Sequence, residues 1–129
     1  MLYTGCEVDR TGPKGKTHLR RLDGLTGQPK WDTTYACQGA TGPPKKIDSG
    51  VFATNVVGSG DVADLVFFTL SRCLGPENGL VVELDKVTGR EVWRAQLSKY
   101  SWSSPTALHD EDGKTWLLQG DISGKVRLL

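Results

Sequence analysis

The chain has 129 residues, of which 37% are hydrophobic and 24% charged, and a formal net charge of +1. That balance is expected of a water-soluble globular chain and removes any bulk electrostatic pull toward nucleic acid or an anionic membrane. The longest apolar run, Leu65-Val66-Phe67-Phe68, falls far short of a membrane span, and Met1 to Cys6 show neither the charged nor the apolar stretch of a signal peptide.

In chain order, the first strands are expected near 2–5, 17–23 and 30–36. Lys14, Lys16, His18, Arg20 and Arg21 read as a solvated loop running into a strand. Between the second and third strands stands Leu22-Asp23-Gly24-Leu25-Thr26-Gly27-Gln28-Pro29-Lys30-Trp31. Asp23 ends the strand and caps the turn through its side chain, Gly27 supplies a positive φ, and Trp31 rides on the returning arm. Strands follow near 50–56, 64–71, 79–85 and 91–97, separated by the turn signals Gly58-Ser59-Gly60-Asp61 and Asn78-Gly79. The hairpin unit then returns 62 residues on, as Leu84-Asp85-Lys86-Val87-Thr88-Gly89-Arg90-Glu91-Val92-Trp93. The last strands are expected near 103–109, 115–120 and 124–129, with turns at Asp110-Glu111-Asp112-Gly113 and Ser123-Gly124.

Internal repetition of this kind is the signature of a stacked array. No segment has sustained helical periodicity, so the chain is read as all-β. The strand runs Leu65-Val66-Phe67-Phe68 and Leu80-Val81-Val82 do not alternate, which requires cover on both faces of the sheet. A β-propeller blade is a four-stranded antiparallel sheet covered in that way. Residues 1–36 are accordingly expected to give the last three strands of one blade, 49–97 a complete blade, and 102–129 the first three strands of the next. That makes about two and a half blades of an incomplete ring, since closure takes about four to eight. The open faces await the remaining blades or self-association.

The Leu-Asp-x-x-Thr-Gly-x-x-x-Trp unit, joined to the strand opening Ser103-Ser104-Pro105, resembles the pyrroloquinoline-quinone-like repeat. That repeat builds the typically eight-bladed propellers of quinoprotein alcohol dehydrogenases and of related non-enzymatic propellers. The resemblance implies that Trp31 and Trp93 dock between blades, while Asp23, Thr26, Gly27, Asp85, Thr88 and Gly89 hold the hairpins. The family's small alanine two residues before the aspartate is replaced by Arg21 and Glu83, so the docking is expected to be looser or remodelled. The family's enzymes carry adjacent cysteines, a Ca²⁺ held by Glu and Asn, and an Asp base. No adjacent cysteines occur here, and no acidic constellation matches.

Residue chemistry adds little beyond this. Cys6, Cys37 and Cys73 are too widely spaced for a disulfide framework or a metal pair; they read as small buried side chains, with one bridge left open. His18 and His109 lack partners at ligand spacing, and Asp110 to Gly113 read as a hairpin turn. No catalytic, cofactor or metal residue is assigned. Tyr100, Trp102 and Ser103 either pack between sheets or face a ligand, an aromatic there being suited to a sugar or an extended peptide. The resulting expectation is a non-catalytic scaffold that binds a protein or carbohydrate, in the periplasm, at the cell surface or outside the cell, with no cofactor of its own. The alternatives are a fragment of a quinone-dependent dehydrogenase, which would need the quinone and Ca²⁺, and a sensor propeller appended to another domain.

Overall fold

A computed structural model describes residues 1–5, 15–37, 49–75 and 78–129. Cys6 and Lys14 lie outside the described residues. Among those described, ten strands form three antiparallel sheets, each a simple meander. The first sheet is β1 (Leu2–Gly5), β2 (Lys16–Leu22) and β3 (Pro29–Ala36). The second is β4 (Val56–Val57), β5 (Leu65–Ser71), β6 (Gly79–Asp85) and β7 (Glu91–Gln96). The third is β8 (Thr106–His109), β9 (Thr115–Gly120) and β10 (Val126–Leu128). A 3₁₀ turn, Gly60–Val62, lies between β4 and β5.

The first and second sheets repeat each other in register. Arg21 faces Trp31 across β2–β3, and Glu83 faces Trp93 across β6–β7. In both sheets the register slips one residue later, so that Leu22 pairs with Pro29 and Leu84 with Glu91. The extra residue, Lys30 or Val92, is a β-bulge that twists the returning arm. The equivalence therefore extends beyond residue types to the backbone irregularity itself.

The second sheet is covered on both faces, which is why its central strands do not alternate. Val66, Phe68, Leu70, Val82 and Leu84 pack with Leu19 and Tyr35 of the first sheet. Phe67 and Val81 pack with Leu97 and with Leu117 of the third. Successive residues of β5 thus face opposite neighbours, as the pleat dictates. Burying a side chain such as Phe68 contributes roughly 2 to 3 kcal/mol.

One expected strand is shorter than its sequence implies. Of residues 50–56, only Val56 joins a strand, paired with Phe67, while Gly50 makes an isolated bridge to Ser71. The residues between turn to other neighbours. Val51 packs into the core shared with the first sheet, Phe52 meets Trp102, and the Thr54 N–H donates to Ser104 Oγ at 2.9 Å. Ser103 and Ser104 likewise precede β8 rather than opening it.

Candidate functional site

The two repeat hairpins are built alike. Asp23 Oδ1 accepts from the N–H groups of Leu25 and Thr26 at 2.9 and 3.0 Å, and Asp85 Oδ1 from those of Val87 and Thr88 at 2.9 and 2.8 Å. Thr26 and Thr88 each accept one further N–H through their hydroxyls, from Gln28 and Arg90 at 3.3 Å. Gly27 and Gly89 sit at φ 71° and 72° and donate back to the carbonyls of Asp23 and Asp85. The Leu25 N–H, followed by that of Thr26, holds the Asp23 carboxyl below its usual range, and the Thr88 N–H does the same for Asp85.

The second hairpin is also a seat for the first sheet. The Trp31 indole N–H donates to the Lys86 carbonyl at 3.0 Å, and the Thr33 hydroxyl donates to the Gly89 carbonyl. Gly89 lies so close beneath the ring that a Cβ there would stand 2.5 Å from Trp31 Cδ2. Arg21 Nη1 shares the Lys86 carbonyl at 2.9 Å. Tyr35 donates its hydroxyl to Glu91 Oε2, and burial together with that carboxylate pushes the phenol pKa up. Trp93, at the equivalent place in the second sheet, has no comparable cover and remains 40% exposed. It borders an open groove of about 500 Å³ shared with Glu83, Val92, Trp116, Leu117 and Leu129.

At the opposite end of the sheets, the connections gather aromatic side chains into a rim. Trp102, 52% exposed, meets Phe52 edge-on with centroids 6.2 Å apart and Tyr100 at 5.7 Å. The Arg72 guanidinium lies 3.8 Å from the centre of the Tyr100 ring, a cation–π distance. Beside Trp102 is a pocket of about 200 Å³ lined by Ser101, Ser103, Asp121 and Ile122. Ser103 directs its hydroxyl inward, where it accepts from Gln119 Nε2 at 2.9 Å and donates to the Gly120 carbonyl at 3.0 Å. Gln119 is itself buried and accepts from Thr69 Oγ1 of the second sheet at 2.8 Å. Of the three ligand-facing candidates, Trp102 is therefore the exposed ring, Tyr100 its half-buried support, and Ser103 a strut of the network behind it.

Comparisons of the chain with protein-family models, with curated proteins and with solved structures give no significant match.

Several side chains acquire partners that their spacing in the sequence conceals. Cys37 and Cys73, both buried, form a disulfide joining the end of the first sheet to the loop after β5. The residues on either side of Cys73, Arg72 and Leu74, adopt positive φ values of 54° and 56°, a costly geometry for side chains of this size. His18 meets Asp32 at 2.9 Å, with Arg20 on the same carboxylate, so these two members of the basic stretch share one acidic partner across β2–β3. His109 lies 3.3 Å from Ser59 and 3.0 Å from Thr115, whose hydroxyl donates to Asp61. Asp110 caps its turn and accepts from the Trp116 indole at 2.9 Å. Among the described residues no group of three His, Cys, Asp or Glu side chains is placed to hold a metal ion, and no helix is long and apolar enough to cross a membrane.

Proposed function

We propose that the three sheets are consecutive β-propeller blades of the pyrroloquinoline-quinone-like repeat type, and that the segment is a non-catalytic binding scaffold. The seating of Trp31 on the Gly89 hairpin carries the first part. It is a sheet-to-sheet lock made by a unit that recurs with the same register, bulge and turn bonds in the next sheet. Blades related in this way stack face to face, and the outer faces then take further blades.

The ligand face is the aromatic rim. An exposed indole flanked by two more rings suits the flat apolar face of a sugar ring, and the Asp121 carboxylate lining the pocket beside it suits sugar hydroxyls. A carbohydrate is the ligand class this arrangement favours, and neither a quinone nor a metal is required. The buried Cys37–Cys73 disulfide supports a place in the periplasm, at the cell surface or outside the cell, where such bonds persist.

The test is titration with a panel of neutral oligosaccharides, followed by calorimetry and by the Trp102 indole resonance. Trp102→Ala should weaken the tightest of them by roughly tenfold, equivalent to about 1.4 kcal/mol. An unchanged affinity in that variant, or no oligosaccharide binding at all, would remove the rim as a ligand face.

A further inference from the structure

Two segments of the chain, stitched to each other, build the pocket beside Trp102. One is the connection from β7 to β8, which carries Ser101, Trp102 and Ser103; the other is the β9–β10 turn, which carries Asp121 and Ile122. The Ile122 N–H donates to the Tyr100 carbonyl at 3.0 Å, and the Lys99 N–H reaches Asp121 Oδ2 at 3.3 Å. The Ser101 and Ser103 hydroxyls both donate to the Gly120 carbonyl, at 2.6 and 3.0 Å. A cavity fixed from both sides in this way is formed before a ligand arrives, so little ordering opposes binding.

The same bonds decide what the pocket offers. The serine hydroxyls commit their protons to Gly120 and accept from Gln119 Nε2. The Ser103 N–H donates to Ser101 Oγ at 3.2 Å, and the Asp121 N–H to the Lys125 carbonyl at 3.0 Å. The Asp121 carboxylate is used less fully. Its Oδ1 accepts from the Ser123 N–H and hydroxyl at 2.9 and 2.5 Å, whereas Oδ2 accepts the long bond from Lys99 and keeps room for a second donor. Led by the Ser123 hydroxyl, these bonds hold the carboxyl below its ordinary value, so at neutral pH it is ionised and accepts but does not donate. Trp102 and Ile122 supply apolar walls, each 52% exposed.

A group that fits must bring a donor for Asp121 and an apolar end for Trp102 and Ile122. A sugar hydroxyl brings the donor alone. An ammonium brings a charge, but its attraction to a partly exposed carboxylate is small in water, and it leaves the apolar walls uncovered. An acetamido substituent brings both parts, an amide N–H and a methyl, while its carbonyl can remain in water.

Resting on the reading of the rim as a carbohydrate face, we infer that this pocket takes the acetamido group of an N-acetylated amino sugar whose ring stacks on Trp102. Asp121 accepts the amide N–H and the methyl packs against Ile122. The rim supplies affinity for the sugar ring, and the pocket selects its substituent.

Chitotetraose, its de-N-acetylated counterpart and cellotetraose share one backbone and differ in one substituent per ring: acetamido, ammonium or hydroxyl. Calorimetric titration of the intact protein should show chitotetraose binding roughly tenfold more tightly than either of the others, the size of one hydrogen bond to a charged acceptor. Asp121→Asn keeps an oxygen for the turn but supplies an amide donor in place of the second acceptor, and should erase that preference. Ile122→Ser, which leaves the carboxylate in place, should reduce it. In the native protein, nuclear Overhauser contacts should run from the acetamido methyl to the Ile122 methyls. The assignment is overturned if the de-N-acetylated tetramer binds more tightly, which would make the site an ion pair, if the preference survives in Asp121→Asn, or if the methyl contacts lie elsewhere. Equal binding of chitotetraose and cellotetraose, both weakened by Trp102→Ala, overturns the pocket assignment and leaves the rim as a carbohydrate face. If no tetramer binds, both readings fall.

Discussion

Gly27 and Gly89 occupy the same turn position at nearly the same φ, yet they do different jobs. A Cβ on Gly27 would meet nothing within 4 Å, whereas one on Gly89 would strike the Trp31 ring. Gly27→Ala should therefore cost only backbone strain, about 1 kcal/mol. Gly89→Ala should add the displacement of an indole and cost about 3 kcal/mol. Urea unfolding of the two variants compares them directly, and equal losses would mean that the Trp31 seat contributes nothing to stability. The turn role of both glycines was legible from Asp-x-x-Thr-Gly, because a positive φ is a local demand. The steric role of Gly89 was not, because it depends on a ring 58 residues earlier in the chain.

At the scale of the element, four hairpins or turns start on an aspartate that caps the chain reversal: Asp23, Asp85, Asp110 and Asp121. The carboxyls of all four are held below the ordinary value of 3.8. Accepted hydrogen bonds are the cause, led by backbone N–H groups at Asp23 and Asp85, the Trp116 indole at Asp110 and the Ser123 hydroxyl at Asp121. A carboxyl depressed in the folded state stabilises fully above its unfolded pKa and loses that contribution as pH falls through its folded value. Glu83 runs the other way: burial raises its pKa, so its ionised form opposes folding and acid relieves it. Asp32 and Asp61 are depressed as well, and with six depressed carboxyls against one raised the urea midpoint should fall from about pH 5 to about pH 3, while the double variant Asp23→Asn/Asp85→Asn should flatten that fall. A midpoint that rises on acidification would reverse the assignment. Strand β4 shows the limit of reading elements from pattern. Residues 51–55 have strand-forming character, but Val51, Phe52 and Thr54 find partners outside their own sheet, and tertiary contact overrides propensity.

For the molecule as a whole, stability depends on locks between sheets, since each sheet has too few strands to bury its own apolar faces. Between the first and second sheets the locks are the Trp31 seat and the Cys37–Cys73 disulfide; between the second and third they include the Thr69–Gln119 bond and the Asp61–Thr115 contact. The disulfide closes a loop with a sequence separation of 36. Its reduction should lower the unfolding free energy by about 3 to 4 kcal/mol on loop-entropy grounds. Hydrogen exchange in the reduced protein should accelerate first in β2 and β3, with β8 and β9 unchanged. Uniform acceleration across all three sheets would show that the bond does not act as a lock between two of them.

The amino-acid sequence by itself determined the all-β class, the places of most strands and the two equivalent hairpins. Aspartate caps, positive-φ glycines and apolar runs without alternation act through neighbouring backbone and through burial, which any folded form must satisfy. Only the tertiary structure decided which cysteines pair, which way Ser103 turns, and that one repeat tryptophan is seated while the other borders a groove. Those outcomes depend on which side chain the next sheet brings within a few ångströms, and Arg21 and Glu83 show how one register position takes opposite chemistry from different neighbours.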